Sequence, residues 1–431
     1  VTKHAALWNP LADDSHPAGW MASDAITLSK LIRQGIQPTP LLVCAGGTSS
    51  RCAADGLWSL DLRTHYRQLI ISEETDEVEI GAGLSMAEVL EGLQTRGRSI
   101  PVGLSTIPGC GFLLTGGIGP LTRSQGLALD HIVGLQGVWG NGDPFHLSEP
   151  TNRANTGTES DNEAHQQWRG LLGAAPFLAV VTSIRMRTQK LRPLAVWRCV
   201  GSIQKLSVAI EEAEQWNHHS ASLQWAWNEK IELFITCCAD DTAGMKAMDS
   251  LRTRLGDCAG SSMTIVTGQH AQPPFGTLAR SSTAKGRIHS EVISRLGPAW
   301  GQRLPSLIAD LDELMSNRPH SECQISAQQL GGMSAQIPVR QTSFIHRDAI
   351  WKPWASAAWT SGDAMGQERA LKWLMHTNNL LSDYCPGVHL AQIHPHLSCH
   401  KKELHDAFQD WLPSLNRLKS QKDPRGLMPL L

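Results

Sequence analysis

Two glycine-rich runs constrain this sequence more than any other feature. Residues 41–50 read LLVCAGGTSS and residues 103–119 read GLSTIPGCGFLLTGGIG, and the first of them follows an apolar stretch directly. Glycine has no Cβ to hold a ligand away, and successive backbone N–H groups in such a turn can point at an anion. For either run alone, an ordinary tight turn between strands is the alternative. Together, the two runs favour a large diphosphate-bearing cofactor lying between them.

The commoner phosphate loops do not match these runs. Neither run continues into Gly-Lys-Ser/Thr, which a nucleoside-triphosphate loop requires. Neither has the Gly-x-Gly-x-x-Gly spacing at the start of a helix, followed by an acidic residue, that a Rossmann site uses. The sequence therefore argues against the two most frequent nucleotide-binding motifs.

Composition and charge are those of an ordinary globular protein. The chain has 431 residues, of which 41% are hydrophobic and 18% charged, with a net charge of −2. This length favours more than one domain. The charge balance predicts no nucleic-acid partner, and no apolar run is long enough to span a membrane, so no membrane partner is expected.

Cysteine and histidine usage bears on metals and on the cellular compartment. Ten scattered cysteines without a C-x-x-C pair predict free thiols in a reducing compartment. His394, His396, Cys399 and His400 lie close together in sequence, but without a second paired cluster we expect no metal site. The first residues show no signal-peptide pattern, and we therefore expect a cytoplasmic protein.

Several short motifs occur in a characteristic order along the chain. Residues 58–62 read WSLDL, residues 78–83 VEIGAG, residues 97–103 GRSIPVG, residues 341–347 QTSFIHR and residues 418–428 LKSQKDPRGLM. With the two glycine-rich runs, this order resembles the vanillyl-alcohol oxidase / p-cresol methylhydroxylase flavoproteins, and most closely their berberine-bridge-enzyme-like branch. The resemblance implies an α+β fold with FAD as cofactor. It implies a two-part FAD-binding domain of the p-cresol methylhydroxylase type and a substrate domain whose antiparallel sheet is covered by helices.

The domain bounds and some local elements follow from this interpretation. We expect the main FAD-binding part over residues 1–192, the substrate-binding domain over 193–395, and a C-terminal segment, 396–431, that returns to the FAD domain. Apolar spacing predicts a helix over 23–35, and Ser85 is expected to cap a helix over 85–96. One last helix is expected over about 401–419.

The resemblance assigns cofactor contacts to the two loops and to the strand that closes the FAD domain. It implies FAD contacts at Cys44, Ala45, Gly46, Gly47, Thr48, Ser49, Gly103, Thr106, Gly109, Gly111, Leu114, Thr115, Ile118 and Val181. Arg51 and Arg123 are candidate counter-charges for the pyrophosphate, with exposed surface arginines as the alternative. Many relatives carry a flavin-linked His where this chain has Thr48, and a linking Cys near Leu104 or Ser105. Because neither residue type is present there, we predict non-covalent FAD.

The catalytic residues are the least constrained part of this interpretation. Residues 387–392, GVHLAQ, are the best match to the family's tyrosine-bearing catalytic strand, so His389 and Gln392 are the catalytic candidates. A histidine can remove a proton while hydride moves to the flavin, although a hydrogen-bonded structural role is the alternative. We expect hydride transfer from a CH–OH or activated C–H group of a small molecule to flavin N5. Reoxidation would be by O2 or another acceptor.

Two other functions stay open. Loss of the covalent anchors and of the tyrosines permits a redox-neutral isomerisation or cyclisation with FAD retained. A degenerate FAD-binding protein without catalysis is the third possibility.

Overall fold

The structure, a computed structural model, describes residues 6–150, 159–267, 282–283 and 286–431. The helices are α1 Pro10–Asp13, α2 Ala25–Gln34, α3 Met86–Gln94, α4 Gly111–Leu114, α5 Thr122–Gln125, α6 Glu159–Ala174, α7 Ile203–Glu214, α8 Thr242–Leu255, α9 Leu304–Ser316, α10 Ala364–Tyr384, α11 His400–Phe408 and α12 Leu412–Lys422. The strands are β1 Gly19–Met21, β2 Leu42–Cys44, β3 Trp58–Asp61, β4 Leu69–Ile71, β5 Glu77–Gly81, β6 Arg98–Ser99, β7 Ile132–Trp139, β8 Pro144–Ser148, β9 Ala179–Arg187, β10 Gln189–Lys190, β11 Leu194–Gly201, β12 Ala221–Trp227, β13 Ile231–Cys238, β14 Ala259–Val266, β15 Ser282–Thr283, β16 Gly286–Leu296, β17 Gln324–Gln329, β18 Trp351–Thr360 and β19 Gly387–Val388.

The N-terminal half contains two main sheets that share one hydrophobic core, and β6 pairs with β10 in a separate two-stranded antiparallel sheet. A three-stranded parallel sheet has the order β1-β3-β2, and a five-stranded antiparallel sheet has the order β4-β5-β9-β7-β8. Strands β7 and β9 are almost wholly buried, although β9 also includes the polar residues Thr182 and Ser183. The core that joins these sheets also takes in α3 and residues from 404 to 428.

The second half is built on one large sheet. Its antiparallel path runs β14-β11-β13-β12-β17-β18-β16-β15, and β19 pairs with β16. One face carries apolar side chains such as Trp225, Ala327 and Trp351, which pack against α7, α8, α9 and α10 to form a second core. The opposite face is largely polar, with Gln224 and Gln328 buried and Lys352 and Trp354 half-buried, which suits this face to a site rather than to a core.

The local sequence signals were accurate in the first half of the chain. Asp24 caps α2, and Ser85 forms a capping box with Glu88 at the start of α3. The predicted single helix over 401–419 is wrong, because the chain breaks at Gln409–Trp411 into α11 and α12. Pro413 lies in the first turn of α12, where its missing N–H is tolerated; inside a continuous helix it would not be.

The last residues of the chain pack against the first core. The N–H of Leu41 donates to the carbonyl of Leu427 at 2.8 Å. The ammonium of Lys419 donates to the carboxylate of Asp423 at 2.8 Å and to the carbonyl of Phe177 at 2.9 Å. The three-part domain division stays a prediction, and these contacts agree with a C-terminal segment that belongs to the first unit.

The length and hydropathy of a helix decide whether it can cross a bilayer. Among the described helices, none is both long enough and apolar enough to cross a membrane. The compartment in which the protein works stays a prediction.

Candidate active site

The two glycine-rich loops pack directly against each other. A Cβ on Gly46 would lie 2.2 Å from the backbone nitrogen of Gly109, and a Cβ on Gly109 would lie 2.6 Å from that of Gly46. Gly47 has φ +73°, a left-handed conformation that most residues avoid. These glycines are therefore required for the contact between the loops as well as for a turn that admits a ligand.

The second loop is anchored on the start of α3. Met86 N–H donates to the carbonyl of Pro108 at 2.9 Å, and Ala87 N–H donates to that of Thr106 at 2.8 Å. By contrast, nothing lies within 4 Å of a Cβ placed on Gly111. The loop is therefore anchored to α3 on one side, and the space beside Gly111 is unobstructed.

One cavity of about 360 Å³ lies between the loops, the closing strand β9 and the segment that follows β19. It is lined by these residues predicted from the sequence: Ala45, Gly46, Gly47, Thr48, Ser49, Gly109, Gly111, Leu114, Thr115, Val181, His389 and Gln392. Cys44, Gly103, Thr106 and Ile118 are not part of this lining. Cys44 is buried beneath the first loop, and a Cβ on Gly103 would meet the ring of Phe112 and the carbonyl of Ile118.

The lining residues fit FAD. Thr48, Ser49 and Thr115 supply hydroxyl groups, and Arg51 supplies a guanidinium whose buried Nε has no partner within the described chain. Burial lowers the pKa of Arg51, so an anion near it would restore favourable interactions to the charged form. None of the described lining residues is acidic, while Ala175, Pro176 and Val181 provide apolar wall. A group with a diphosphate centre and flat apolar ends matches this chemistry.

His389 reaches the cavity with one ring nitrogen free. Its Nε2 lies 3.0 Å from the carbonyl oxygen of Thr115, which only accepts hydrogen bonds, so Nε2 carries the proton. Nδ1 is then a lone-pair acceptor, and it is buried without a partner among the described residues. Burial lowers the pKa of His389 well below its usual value, and the charge of Lys352 adds to the effect. The imidazole is therefore neutral and able to accept a proton or a hydrogen bond.

The backbone around His389 explains how it gets so close to the second loop. A Cβ on Gly116 would lie 3.2 Å from His389 Nε2, and Gly116 has φ +136°. On the other side, Ser294 donates its hydroxyl to the carbonyl of His389 at 2.9 Å. His389 is therefore held between the second loop and strand β16.

Gln392 contacts the first loop. Its Oε1 accepts a hydrogen bond from the N–H of Ser50 at 2.8 Å and a longer one, at 3.4 Å, from the hydroxyl of Ser49. This contact gives Gln392 a part in positioning the loop, and its catalytic role stays a prediction.

A buried carboxylate from the second half of the chain supports the same loop. Glu291, on β16 and 1% exposed, accepts a hydrogen bond from Ser50 Oγ at 2.7 Å. His396 Nε2 lies 2.9 Å from its other oxygen, and His394 lies between Glu291 and Glu403, at 3.6 and 3.2 Å. Among the described residues, no group of His, Cys, Asp or Glu is arranged to hold a metal ion. The histidines instead form an ion-pair network behind the first loop.

Arg123 is neither a cofactor counter-charge nor an exposed arginine. Its guanidinium is buried and donates to the carbonyls of Ala221 at 2.8 Å, Leu330 at 2.6 Å and His218 at 2.9 Å. It therefore ties α5 to the large sheet of the second half. Of the two arginine candidates, only Arg51 lines the cavity.

The motifs gave no indication of two residues near His389. Lys352 and Gln328 are paired in register on β18 and β17, on the largely polar face of the large sheet. Burial lowers the pKa of Lys352 to about 8. Lys352 is the one charged residue of β18, and Gln328 is one of several polar residues in β17, so the only signal in the sequence is the alternation of polar and apolar residues.

Comparison with known proteins indicates the same cofactor. Residues 26–148 match the family described as FAD binding domain. Over 334 residues the chain is 22% identical to the uncharacterized FAD-linked oxidoreductase YgaK of Bacillus subtilis, covering 75% of this chain and 70% of that protein. Five further curated relatives are 28% to 33% identical, and the matches span 17% to 33% of their lengths.

Solved structures share the whole fold. Physcomitrella patens BBE-like 1 superposes with a TM-score of 0.80 at 15% identity, over 98% of this chain and 92% of that one. Glucooligosaccharide oxidase from Acremonium strictum superposes with a TM-score of 0.78 at 17% identity, with the same coverage. The FAD of that oxidase is described as 6-S-cysteinyl, 8α-N1-histidyl FAD. The expected FAD-binding domain and two-part α+β fold are confirmed.

Proposed function

We propose, from the FAD-binding domain over residues 26–148 and the fold, that this FAD-linked oxidoreductase oxidises a small molecule at a CH–OH or activated C–H group. The observation that carries the proposal is that both loops and His389, whose Nδ1 has no partner among the described residues, line one cavity. When bound, FAD supplies the acceptor for the hydride. The curated relatives include several FAD-linked oxidoreductases, and this chain has residues that fit the same group.

His389 is the proposed proton acceptor. Because Thr115 fixes the proton on Nε2, Nδ1 keeps its lone pair, and we propose that it accepts the proton of a substrate hydroxyl. A neutral imidazole is ready to accept a proton without first losing one. Gln392 keeps the first loop in place, and the apolar lining excludes water from the reacting group.

The cofactor is proposed to be held without a covalent bond. Thr48 lines the cavity at the position where the resemblance implies a flavin-linked histidine, and a threonine hydroxyl makes no such bond. The electron acceptor is proposed to be O2 or another oxidant, and the partner a small molecule.

Anaerobic mixing of the FAD-loaded protein with a panel of aromatic and sugar alcohols and small aromatic and aliphatic hydroxy acids tests the proposal. Loss of the yellow flavin absorbance on mixing, and its return when air is admitted, are expected for at least one compound. Turnover of a compound without any loss of absorbance would replace the proposal with a redox-neutral reaction. A purified protein that takes up no FAD would refute the cofactor assignment itself.

A further inference from the structure

The largely polar face of the large sheet, opposite its helices, contains a row of aligned side chains. Gln224 on β12 pairs with Gln328 on β17, and Gln328 pairs with Lys352 on β18. Their neighbours in sequence, Trp225 and Trp351, belong to the core on the opposite face. Successive side chains of a strand alternate between faces, so the three polar residues share one side.

This face is turned toward the cofactor cavity. Ser294 on β16 pairs with Trp354 on β18, which places both on the same face as Lys352. The hydroxyl of Ser294 donates to the carbonyl of His389, a residue that lines the cavity. The row therefore lies on the side of the sheet that His389 covers.

Gln328 is the unusual member of the row. It is 0% exposed, and neither Oε1 nor Nε2 of its amide has a partner in the described chain. Gln224 beside it is satisfied, since its Nε2 donates to Ser222 and its Oε1 accepts from Thr236. A buried amide that leaves both atoms unpaired loses its hydration without compensation, and such groups in native proteins call for an explanation.

Lys352 is a cation without a counter-charge in the described part of the chain. No carboxylate in the described residues pairs with it, and its ammonium lies 4.9 Å from the ring centroid of Trp354. Burial lowers the pKa of Lys352 because the charged form is poorly solvated there. An anion delivered by a ligand would supply the missing partner.

We propose that Lys352 and Gln328 form a subsite for the carboxylate of the substrate, with Trp354 as an aromatic wall. Lys352 Nζ and Gln328 Nε2 donate to the carboxylate oxygens, and Gln328 Oε1 accepts from a hydroxyl of the same ligand. The location rests on the proposed function, since His389 links this row to the cavity. The substrate class is then an aromatic or small hydroxylated acid rather than a neutral alcohol.

Calorimetric titration of the FAD-loaded protein with benzoate and with benzamide tests the subsite. The two probes have the same ring and differ in charge. Benzoate is expected to bind about tenfold more tightly, because charge-assisted hydrogen bonds are the stronger ones. Lys352→Met should abolish this preference and leave benzamide binding unchanged, whereas Gln328→Leu should weaken both probes.

Lys230→Met, an exposed lysine after β12, is the matched control and should bind both probes as the wild type does. Equal affinity of the wild type for benzoate and benzamide would overturn the subsite, as would a benzoate affinity that survives Lys352→Met. Because binding is measured without turnover, the outcome is separate from that of the proposed oxidation. A protein that never bleaches its flavin but binds benzoate through Lys352 would refute only the function.

Discussion

The side-chain oxygen of Gln392 accepts a 2.8 Å hydrogen bond from the backbone N–H of Ser50, and so joins the segment after β19 to the first cofactor loop. The same segment carries His389 and its contact with Thr115 of the second loop. Residues 389–392 therefore contact both loops and fix their positions. The cofactor site is an assembly of three distant parts of the chain.

Removing the Gln392 contact should weaken cofactor binding. In Gln392→Leu, the N–H of Ser50 loses its partner in a part-buried place, which costs about 1–3 kcal/mol. The dissociation constant for FAD should rise about tenfold, measured by fluorescence titration of the apoprotein. Gln215→Leu, an exposed residue after α7, is the control. An unchanged FAD affinity in Gln392→Leu would show that the loop holds its position without this contact.

Replacing Glu291 should destabilise the protein in a pH-dependent way. The carboxylate faces Ser50, His394, His396 and Arg51, and removing one member of a buried ion pair costs about 3 kcal/mol. The loss in Glu291→Gln is measured as a lower free energy of unfolding in urea, relative to the wild type.

The sign of that pH dependence follows from the two pKa shifts. Burial opposes ionisation of Glu291, but the His396 hydrogen bond and the His394 charge hold its pKa below the ordinary 4.5. Burial also opposes protonation of His394, but Glu403 and Glu291 raise its pKa above the ordinary 6.5. The stability that ionised Glu291 contributes is lost as the pH falls through its lowered pKa. The stability that protonated His394 contributes is lost as the pH rises through its raised pKa. The difference in the free energy of unfolding between the wild type and Glu291→Gln should be largest between about pH 4.5 and 6.5 and should shrink above that range. A difference in this free energy that grows above pH 8 would contradict the network.

His389→Gln should impair flavin reduction while leaving FAD binding intact. The glutamine amide can still donate to the carbonyl of Thr115, but it lacks the basic Nδ1. The anaerobic rate of flavin reduction, followed by stopped-flow absorbance with the best substrate, should fall by about 10²–10⁴-fold. His346→Gln is the matched control, since His346 Nε2 contacts the carbonyl of Asp406 at 2.8 Å outside the cavity. Equal rates in both variants would remove His389 from the reaction.

The flavin should leave the protein on acid precipitation. Thr48 provides no nitrogen for a bond to the flavin ring, so no covalent link is expected at this position. After precipitation, the supernatant should be yellow and contain one FAD per chain by its absorbance spectrum. A yellow pellet would mean that another residue is bonded to the flavin.

Arg123→Leu should destabilise the protein without changing its cofactor affinity. The substitution leaves the carbonyls of His218, Ala221 and Leu330 without their donor, at a cost of about 3 kcal/mol. Thermal unfolding should show a lower midpoint, whereas Arg417→Leu, on the exposed face of α12, should not. A normal midpoint in Arg123→Leu would mean that the contact between α5 and the large sheet contributes little.

Features set by neighbouring residues could be predicted from the sequence. The cap at Ser85 depends on contacts within three residues, and the two loops are marked by adjacent glycines. The order of short motifs predicted the fold, because it reflects the path of the chain rather than any one interaction. His389 was chosen as a catalytic candidate because it stands in such a motif.

Residues that act through long-range pairing could not be predicted in this way. Glu291 meets Ser50 across 241 positions, and Gln328 meets Lys352 only because β17 and β18 adopt one particular register. A shift of one residue would turn these side chains to the opposite face. No local pattern specifies that register, so the polar row on the large sheet became visible only in three dimensions.

The contacts of the C-terminal segment have a consequence for biosynthesis. Pro429 lines the cofactor cavity, and Asp423 accepts the N–H groups of Leu427 and Met428 at 2.8 and 2.9 Å. A nascent chain on the ribosome lacks this wall until residues 423–429 have been translated, long after both glycine-rich loops have emerged. Capture of the cofactor in its complete site must therefore follow synthesis of this segment. The cofactor is then bound by a chain in which both halves of the fold have been synthesised, and not by a first domain that is still emerging from the ribosome.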